Sequence, residues 1–420
     1  LPYSKDIYFL DGKIDNYFHQ NIFTNLKEHC DAMNQYTMEY SSLLLEESLN
    51  TLSSNCKIVN LSSFDFDSDV FINKAVKIAN IILQNVITSN KNNAVLWPEL
   101  ITHGSVLSID YPDTNLYNGT SGLLIFFYYL NEVRPDPKYR ELLRLLEYEV
   151  FNTKGTTNLE SSFHGIGSKI AVAFINYYLK KEVKYKQLLT KFLPLLYEIA
   201  PTIDSWDWIR GKSSLLALLT TIYEELQLPI IKSIMEVLIL DIDNINMTEI
   251  SFAHGYCGIL YALLRANTIL HQNHIEKKIL EIYQIITIHL QEHKTFSPAW
   301  CNGTLGINKS LFEFAKYHPH YCINFIKPQN NYIHNTSCLC HGSFCEVSAY
   351  YGLYKNIITV KESQKIAENF SQKEIFLCQY KRFLPLGFFN GLSGIGYQLL
   401  RFTAPKKYID LLFFENISYF

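Results

Sequence analysis

Two cysteines and one histidine are the residues of this sequence best suited to chemistry. Cys301 and Cys340 each lie two residues before a glycine, and His341 directly follows the second cysteine. Two thiolates and an imidazole suit Zn²⁺, and three protein ligands leave the open fourth position that is typical of a catalytic zinc site. Cys338 or Cys345 could fill that position and make the zinc structural. All of these cysteines could instead be unliganded core thiols.

The fold must bring Cys301 and Cys340 together, because the 39 residues from one to the other exceed the spacing of a finger-type zinc site. A repeated motif indicates how the two cysteines meet. The motif begins with a polar or aromatic residue and a glycine. Two further residues follow, then a position that is usually glycine or serine, and then an apolar run. Its seven copies are 39 to 49 residues apart, with first glycines at Gly119, Gly165, Gly211, Gly255, Gly303, Gly342 and Gly391.

Each repeat predicts a pair of helices. After the fourth glycine, Ile259–Leu264 is apolar on nearly every side, which indicates a buried helix, whereas apolar residues recur every three or four positions from Ile275 to Leu290, which indicates a one-sided surface helix. Helix pairs either stack as an open solenoid or close into a ring, and an open solenoid needs polar caps. The last repeat, Phe389–Leu400, is as apolar as the middle ones. We therefore predict an all-α fold, an α/α toroid (double barrel) of seven inner and seven outer helices, with weak strand patterns throughout.

The chain is expected to form one domain over residues 1–420, because no linker rich in Pro, Gly or Ser divides it. Residues 111–420 would hold the seven repeats and the zinc site. Residues 1–110 would supply N-terminal helices that complete the outer layer, and the apolar pattern from Phe71 to Val86 fits such a helix.

Equivalent positions of adjacent repeats lie side by side on one rim of a closed ring, so Cys301 and Cys340 can share one metal ion. The position directly before the first glycine is polar in every repeat, which is what a site exposed on this rim requires. Its occupants are Asn118, His164, Arg210, His254, Asn302, His341 and Asn390.

The composition fits a large globular protein and excludes several classes of function. The 420 residues are 48% hydrophobic and 18% charged, with a net charge of −3; neither disorder nor a coiled coil is expected, and no basic field attracts nucleic acid. No apolar run approaches the roughly 20 residues that span a membrane. Nine cysteines, an odd number, favour reduced thiols or a metal site over a disulfide framework. We expect the protein in the cytoplasm.

Motifs on the predicted rim resemble those of the lanthionine cyclases, the lanthionine synthetase C-like (LanC-like) family. They are DWIRG at Asp207–Gly211, AHGYCG at Ala253–Gly258, WCNG at Trp300–Gly303 and CHG at Cys340–Gly342. The resemblance covers all seven repeats, from about Asn115 to the end. It implies an α/α toroid in which Zn²⁺ is bound by Cys301, Cys340 and His341, and in which a cysteine of an incoming peptide takes the fourth position.

The reaction implied by the resemblance is that of a stand-alone lanthipeptide cyclase. A cysteine thiol of a dehydrated precursor peptide adds to the β-carbon of dehydroalanine or dehydrobutyrine and closes a thioether ring. A free thiol has a pKa of about 8.5, whereas a zinc-bound thiol is deprotonated at neutral pH. The addition produces an enolate that must gain a proton, so a general acid is expected near the metal.

His254 and Asp207 are the expected catalytic residues beside the metal. His254, in the AHG motif, is predicted to transfer the proton, and Asp207 is predicted to orient His254 or to accept the thiol proton. Which of the two protonates the enolate stays open at this point. Taken alone, His254 would be a structural histidine and Asp207 a helix N-cap.

Two positions depart from the family pattern, in which Tyr directly follows the first zinc cysteine and Arg stands four residues before it. This chain has Asn302 and Ser297 there. A contact that positions the substrate or stabilises the enolate is therefore missing or supplied elsewhere, for instance by Arg210 or His164. Asn302, Arg210 and His164 are the candidate substrate-positioning residues.

The resemblance also implies partners and a location. A dehydratase would form the dehydrated residues of the precursor peptide from Ser and Thr, and a membrane exporter would act with the cyclase. The cyclase would then lie in the cytoplasm or at the inner face of the membrane.

Other functions share parts of this pattern. A LanC-like protein that adds glutathione to dehydrated residues would have the same zinc and rim. A non-catalytic toroid with a structural zinc is a further alternative. A toroidal sugar hydrolase needs two carboxylates on the rim, and the aligned positions offer only Asp207.

Overall fold

The structure of the protein is a computed structural model, and the order of its elements is that of a helical protein. It describes residues 5–9, 12–16, 20–21, 23–24, 27, 42–45, 57–59, 68–103, 106–153, 158–292, 296–326, 336–345, 375–376, 383–404 and 407–416. Within these residues, no helix combines the length and the apolar character that crossing a membrane requires.

In chain order, the helices of the described residues are α1 (Ser68–Asn85), α2 (Thr120–Val133), α3 (Pro137–Asn152), α4 (Gly165–Lys180), α5 (Val183–Ile199), α6 (Lys212–Leu226), α7 (Pro229–Leu238), α8 (Tyr256–Leu270), α9 (Asn273–Glu292), α10 (Thr304–Tyr317) and α11 (Leu392–Thr403). From α2 to α10 the helices alternate between an inner and an outer layer, as predicted, whereas α10 and α11, consecutive among the described helices, are both inner. The inner helices, which follow the first glycines, are buried on nearly every side along their first ten residues, as α2 and α8 illustrate. The outer helices bury one face, as in α9, where the buried residues recur every three or four positions.

The inner helices form a ring. Helix α8 packs between α6 and α10, and α2 packs against both α4 and α11, so the last repeat meets the first. The helix predicted from Phe71 to Val86 is α1, which lies against α11 with the ring of Phe71 stacked on Phe402 at 4.8 Å. The inner helix predicted after Gly342 falls on residues 346–374, which lie outside the described residues. The boundary expected at residue 110 stays a prediction.

A closed belt of hydrogen bonds joins the seven loops that precede the first glycines. Each loop bonds to the loop of the next repeat, mostly through the backbone, and the last loop bonds to the first. The backbone bonds, 2.8 to 3.4 Å long, run from Leu116 to Phe163, Trp208 to Ala253, Ala253 to Cys301, Cys301 to Cys340, Cys340 to Phe389 and Phe389 to Tyr117. The hydroxyl of Ser161 donates to the carbonyl of Ile209 at 2.6 Å and closes the remaining step. Because buried backbone groups need partners, this belt fixes the order and the spacing of the repeats on the rim.

The residue three positions before each first glycine anchors its loop in the core. In the third, fourth and fifth repeats this residue is Trp208, Phe252 and Trp300, all buried. The ring of Phe252 lies 4.7 Å from that of Trp208 and 5.8 Å from that of Trp300. Aromatic rings bury a large apolar area at defined angles, so these contacts hold the next two residues of each loop at the rim.

Short two-stranded sheets lie beside the helices, and the weak strand patterns of the sequence had not located them. The antiparallel pairs are β1 (Ile7–Phe9) with β2 (Gly12–Ile14), β3 (Lys57–Val59) with β8 (Ile375–Phe376), β4 (Ile87–Ser89) with β5 (Ala94–Leu96), and β6 (Glu99–His103) with β7 (Val106–Asp110). The turn before β5 contains Asn93, whose φ of 47° is left-handed. The amide of Val95 donates to the Glu149 carboxylate at 2.8 Å and so ties β5 to α3.

The C-terminal segment, residues 407–416, packs among the inner helices. Phe413 and Phe414 are buried, and the Phe414 ring lies 5.3 Å from that of Phe163. The backbone carbonyl of Phe414 accepts hydrogen bonds from Thr221 on α6 and Arg265 on α8. This segment therefore joins inner helices of successive repeats through the interior of the ring.

Two buried ion pairs anchor the C-terminal segment. Lys309 on α10 donates to Glu415 at 2.8 Å, and Arg401 on α11 donates to Asp410 at 3.1 Å. Tyr261 on α8 also donates to Glu415, at 3.0 Å. Burial alone would raise the pKa of Glu415, but the charge of Lys309 lowers it below its usual range. Both charges of each pair are thus compensated inside the protein.

The Lys309 ion pair generates a prediction about stability. Lys309→Met leaves the Glu415 charge buried without its cation, and we expect a loss of about 3–5 kcal/mol in the free energy of unfolding. Adding Glu415→Gln should recover part of the lost stability, because it removes the unpaired charge. Urea unfolding followed by circular dichroism measures the effect, with Lys277→Met on the exposed face of α9 as the control. Equal unfolding midpoints for Lys309→Met and the control would contradict the anchoring role.

Candidate metal centre

Cys301, Cys340 and His341 come together on the rim. The two sulfur atoms and one ring nitrogen of these residues all lie within 4.8 Å of one another. Ligands bound to a tetrahedral zinc at about 2.1–2.3 Å lie roughly 3.6 Å apart, so small movements of the side chains suffice to bind the ion. The donor set of two thiols and an imidazole fits zinc in its chemistry as well as in its spacing.

Two glycines shape the loops that carry the cysteines. A Cβ atom on Gly303 would lie 2.1 Å from the carbonyl oxygen of Ser297, and a Cβ atom on Gly342 would lie 2.3 Å from the backbone nitrogen of Cys338. Any other residue would force these loops apart. The glycines thus let each loop fold back on itself directly after its cysteine.

The thiols of Cys301 and Cys340 form a coupled pair. A hydrogen bond from Cys340 lowers the pKa of Cys301, and the same bond raises the pKa of Cys340. Cys301 is partly buried and Cys340 buried, while His341 is exposed. The pair is therefore ready to give up one proton near neutral pH, and a bound cation would favour loss of the second.

Cys338 contacts the centre through His341. Burial alone would raise the pKa of the Cys338 thiol, but its hydrogen bond with His341 lowers it, and the same bond raises the pKa of His341. Among the described residues, neither Cys338 nor Cys345 belongs to the group of converging donors. Cys338 therefore contacts the His341 side chain without joining the donor group.

Tyr117 also reaches the centre, and sequence reasoning had missed it. Its hydroxyl donates to the sulfur of Cys340 at 3.1 Å, and its ring stacks on that of Phe389 with centroids 5.0 Å apart. Tyr117 occupies the same position in the first repeat as the cysteines do in theirs, two residues before the glycine. That shared position places Tyr117 at the same level of the rim as the cysteines, but the sequence does not show that its hydroxyl reaches the sulfur.

His254 and Asp207 form a hydrogen-bonded pair elsewhere on the rim. Nδ1 of His254 donates to Oδ2 of Asp207 at 2.6 Å, and this bond raises the pKa of His254. The other carboxylate oxygen accepts from the backbone amides of Ile209 and Arg210 at 2.7 and 2.8 Å. The His254 side chain remains 51% exposed. Asp207 therefore caps its own turn and holds a half-exposed imidazole at the opening.

The three candidate substrate-positioning residues differ in their surroundings. Nδ1 of His164 lies 3.2 Å from the carbonyl oxygen of Ile209, and burial lowers the pKa of His164. Arg210 is exposed. Asn302 accepts hydrogen bonds from Ser297 at 3.4 Å and from the Cys301 thiol at 3.6 Å. Ser297 and Asn302 thus contact each other, and Asn302 contacts Cys301 of the centre.

A cleft of about 260 Å³ adjoins His341 and Cys338. Its lining mixes amide, carboxyl and apolar groups, and includes Glu99, Leu100, Asn118, Thr336, Phe383, Pro385 and Asn390. Glu99 on β6 accepts a hydrogen bond from Trp97 at 2.8 Å, and burial raises its pKa. No local pattern in the sequence indicated Glu99, because β6 lies outside the glycine repeats.

Comparisons with known proteins identify the family and the fold of this chain. A model of the family described as lanthionine synthetase C-like protein matches residues 111–413. The solved structure of a nisin cyclase is similar with a TM-score of 0.55 over 83% of this chain and 96% of that chain, at 15% sequence identity, which shows a shared fold. The chain matches none of the curated proteins.

The His254–Asp207 hydrogen bond generates a prediction about titration. Asp207→Asn keeps an oxygen for the two backbone amides but removes the negative charge, so the pKa of His254 should fall toward its ordinary value. NMR titration of the imidazole signals measures this shift, and Asp204→Asn, a nearby exposed aspartate, is the control. An unchanged His254 titration in Asp207→Asn would mean that the two side chains do not interact in solution.

Proposed function

Because the chain belongs to the lanthionine synthetase C-like family, we propose that it is a zinc-dependent lanthionine cyclase, which adds cysteine thiols of a dehydrated precursor peptide to dehydroalanine or dehydrobutyrine and closes thioether rings. The convergence of Cys301, Cys340 and His341 within 4.8 Å, in the motifs that resemble this family, carries the proposal. The sulfur of the peptide cysteine loses its proton and bonds to the β-carbon. The electron pair of the double bond moves toward the α-carbon, which then gains a proton.

The proposed ligands of the zinc are Cys301, Cys340 and His341, with the fourth position for the peptide thiol. When bound, Zn²⁺ supplies the Lewis acidity that presents this thiol as a thiolate at neutral pH. Two thiolates, of Cys301 and Cys340, would balance the charge of the ion. Cys338 would hold the His341 ring in place, because it hydrogen-bonds to that ring and stays outside the donor group.

His254 is the proposed donor of the proton to the enolate, and Asp207 its positioning partner. Asp207 occupies Nδ1 of the imidazole, which leaves Nε2 as the nitrogen that can exchange a proton with the substrate. The raised pKa of His254 keeps a larger fraction of the ring protonated near neutral pH. The carboxylate already accepts three hydrogen bonds, two of them from backbone amides, so a positioning role suits it better than proton donation.

The cleft beside His341 offers room for the peptide that flanks the reacting cysteine. Its amide groups, from Asn118 and Asn390, and its apolar wall, from Phe383 and Pro385, match the mixed character of a peptide chain. Asn302, Arg210 and His164 are further proposed contacts for the substrate on the rim. A dehydratase that prepares the substrate, a membrane exporter, and a location in the cytoplasm or at the inner face of the membrane complete the proposal.

Metal analysis and a cyclisation assay test the proposed function together. Wild type should bind about one zinc per chain, whereas Cys340→Ala should lose the zinc and retain most of its helical circular dichroism. Cys322→Ala, an exposed thiol away from the centre, is the control and should keep both.

The assay uses a synthetic peptide with one cysteine and one dehydroalanine. Ring closure leaves the mass unchanged and abolishes reaction with a thiol-blocking reagent, and a parallel reaction with glutathione would add one glutathione to the mass. Cys340→Ala should close the ring no faster than the uncatalysed reaction. Unfolding of Cys340→Ala would instead indicate a structural zinc, and exclusive glutathione addition would indicate the other activity.

The proton-donor role of His254 has its own test. His254→Gln should keep its zinc but close the ring about 100-fold more slowly, since a positioned acid contributes roughly that factor or more. The rate of wild type should fall as the pH rises through the raised pKa of His254, and the variant should lack this step. His274→Gln on the exposed face of α9 is the control. A variant with the wild-type rate and pH profile would exclude His254 as the donor.

A further inference from the structure

The position two residues before each first glycine holds a ring of side chains around the opening. In the seventh, first and second repeats these residues are Phe389, Tyr117 and Phe163, and in the fifth and sixth they are cysteines. The Tyr117 ring stacks on Phe389 with an angle of 8° between the planes and meets the Phe163 ring edge-on at 6.2 Å. The aromatic side chains thus pack against one another and orient the tyrosine.

The hydroxyl of Tyr117 reaches past Phe389, the neighbouring residue in this ring of side chains. Phe389 lies between Tyr117 and Cys340 in the order of the repeats, and it hydrogen-bonds through its backbone to both loops. Stacked on this phenylalanine, the tyrosine places its oxygen 3.1 Å from the Cys340 sulfur. A phenylalanine would stack equally well, as Phe389 and Phe163 do in the same position, so packing alone does not explain the hydroxyl.

We propose that Tyr117 is a positioning residue of the metal centre, whose hydroxyl donates a hydrogen bond to the Cys340 thiolate. A phenol keeps its proton at neutral pH and can donate it to sulfur. With a metal bound, the buried Cys340 sulfur would be a thiolate beside the second sulfur, of Cys301, and a donor of hydrogen bonds would offset part of the resulting negative charge. Such partners of metal ligands also fix the direction of the ligand atom.

This inference rests on the proposed function in one respect, that Cys301, Cys340 and His341 bind a metal. The hydrogen bond draws electron density from the Cys340 sulfur. Loss of the hydrogen bond should raise the energy of the sulfur lone pairs and so move the sulfur-to-cobalt charge-transfer band of the Co²⁺-substituted protein to longer wavelength. Zinc binding should weaken about tenfold, because the sulfur is then no longer oriented and its charge no longer offset.

Tyr117→Phe tests the inference, because it removes only the oxygen and keeps the stacked ring. Zinc affinity is measured by competition with a chromophoric chelator, and the charge-transfer band by absorption of the Co²⁺ protein. Tyr256→Phe is the matched control, since Tyr256 also lies beside a first glycine, Gly255, but its hydroxyl accepts a hydrogen bond from the Met247 amide. The control should leave both quantities unchanged.

The outcomes separate this inference from the proposed function. If wild type binds Zn²⁺ and Co²⁺ but Tyr117→Phe matches it in affinity and spectrum, the role of Tyr117 is wrong and the zinc site stands. If wild type binds neither ion, both the zinc site and the role of Tyr117 are wrong. A shift of the cobalt band in Tyr117→Phe, absent from Tyr256→Phe, supports the hydrogen bond, because a purely structural role would not change the energy of the sulfur electrons.

Discussion

The belt of hydrogen bonds between the seven loops is the constraint on which the centre depends. It brings residues that are far apart in the sequence next to each other on the rim. Cys301, for example, hydrogen-bonds to Cys340 through the backbone, although Cys340 lies 39 residues further along the chain. The same belt brings Tyr117 of the first repeat within reach of Cys340 in the sixth. Each loop hydrogen-bonds to the loops on both sides of it, so a displacement of one loop would strain its bonds to both neighbours. Such a frame can hold the side chains at the rim in place although loops carry them.

The chain's C-terminal segment complements this frame from the interior. Phe413 and Phe414 fill space between the inner helices, and Glu415 is paired with Lys309. A buried ion pair contributes little net stability over an apolar contact, but it penalises any arrangement that separates its charges. The segment thereby selects one arrangement of α6, α8, α10 and α11. The belt fixes the loops at the rim and the segment fixes the helices that follow them, so each reinforces the geometry set by the other.

The sequence predicted the parts of this arrangement that repeat. Regular glycines and apolar runs indicated the helix pairs, and alignment on the glycines indicated that Cys301 and Cys340 would be neighbours. The His254–Asp207 contact also follows from adjacent repeats, 47 residues apart. The contributions of Tyr117, Glu99 and the C-terminal segment were not predictable in this way, because they depend on side-chain reach or on elements outside the repeats. The periodicity of the sequence predicts where the helices and loops lie. It does not show that the Tyr117 hydroxyl reaches past Phe389 to the Cys340 sulfur, because that contact depends on how the aromatic rings pack.

Asn302 and Ser297 illustrate how the protonation state of Cys301 affects side chains outside the group of Cys301, Cys340 and His341. The Cys301 thiol donates to the side-chain oxygen of Asn302, which also accepts from Ser297. A thiolate has no proton to donate, so deprotonation of Cys301 replaces this attraction with repulsion between sulfur and oxygen. Rotation of the amide would then turn its NH₂ group toward the sulfur, and the Ser297 hydroxyl can accompany either orientation because it both donates and accepts. An amide and a hydroxyl at these positions can therefore follow the charge of Cys301, which an arginine, a donor in every state, cannot do.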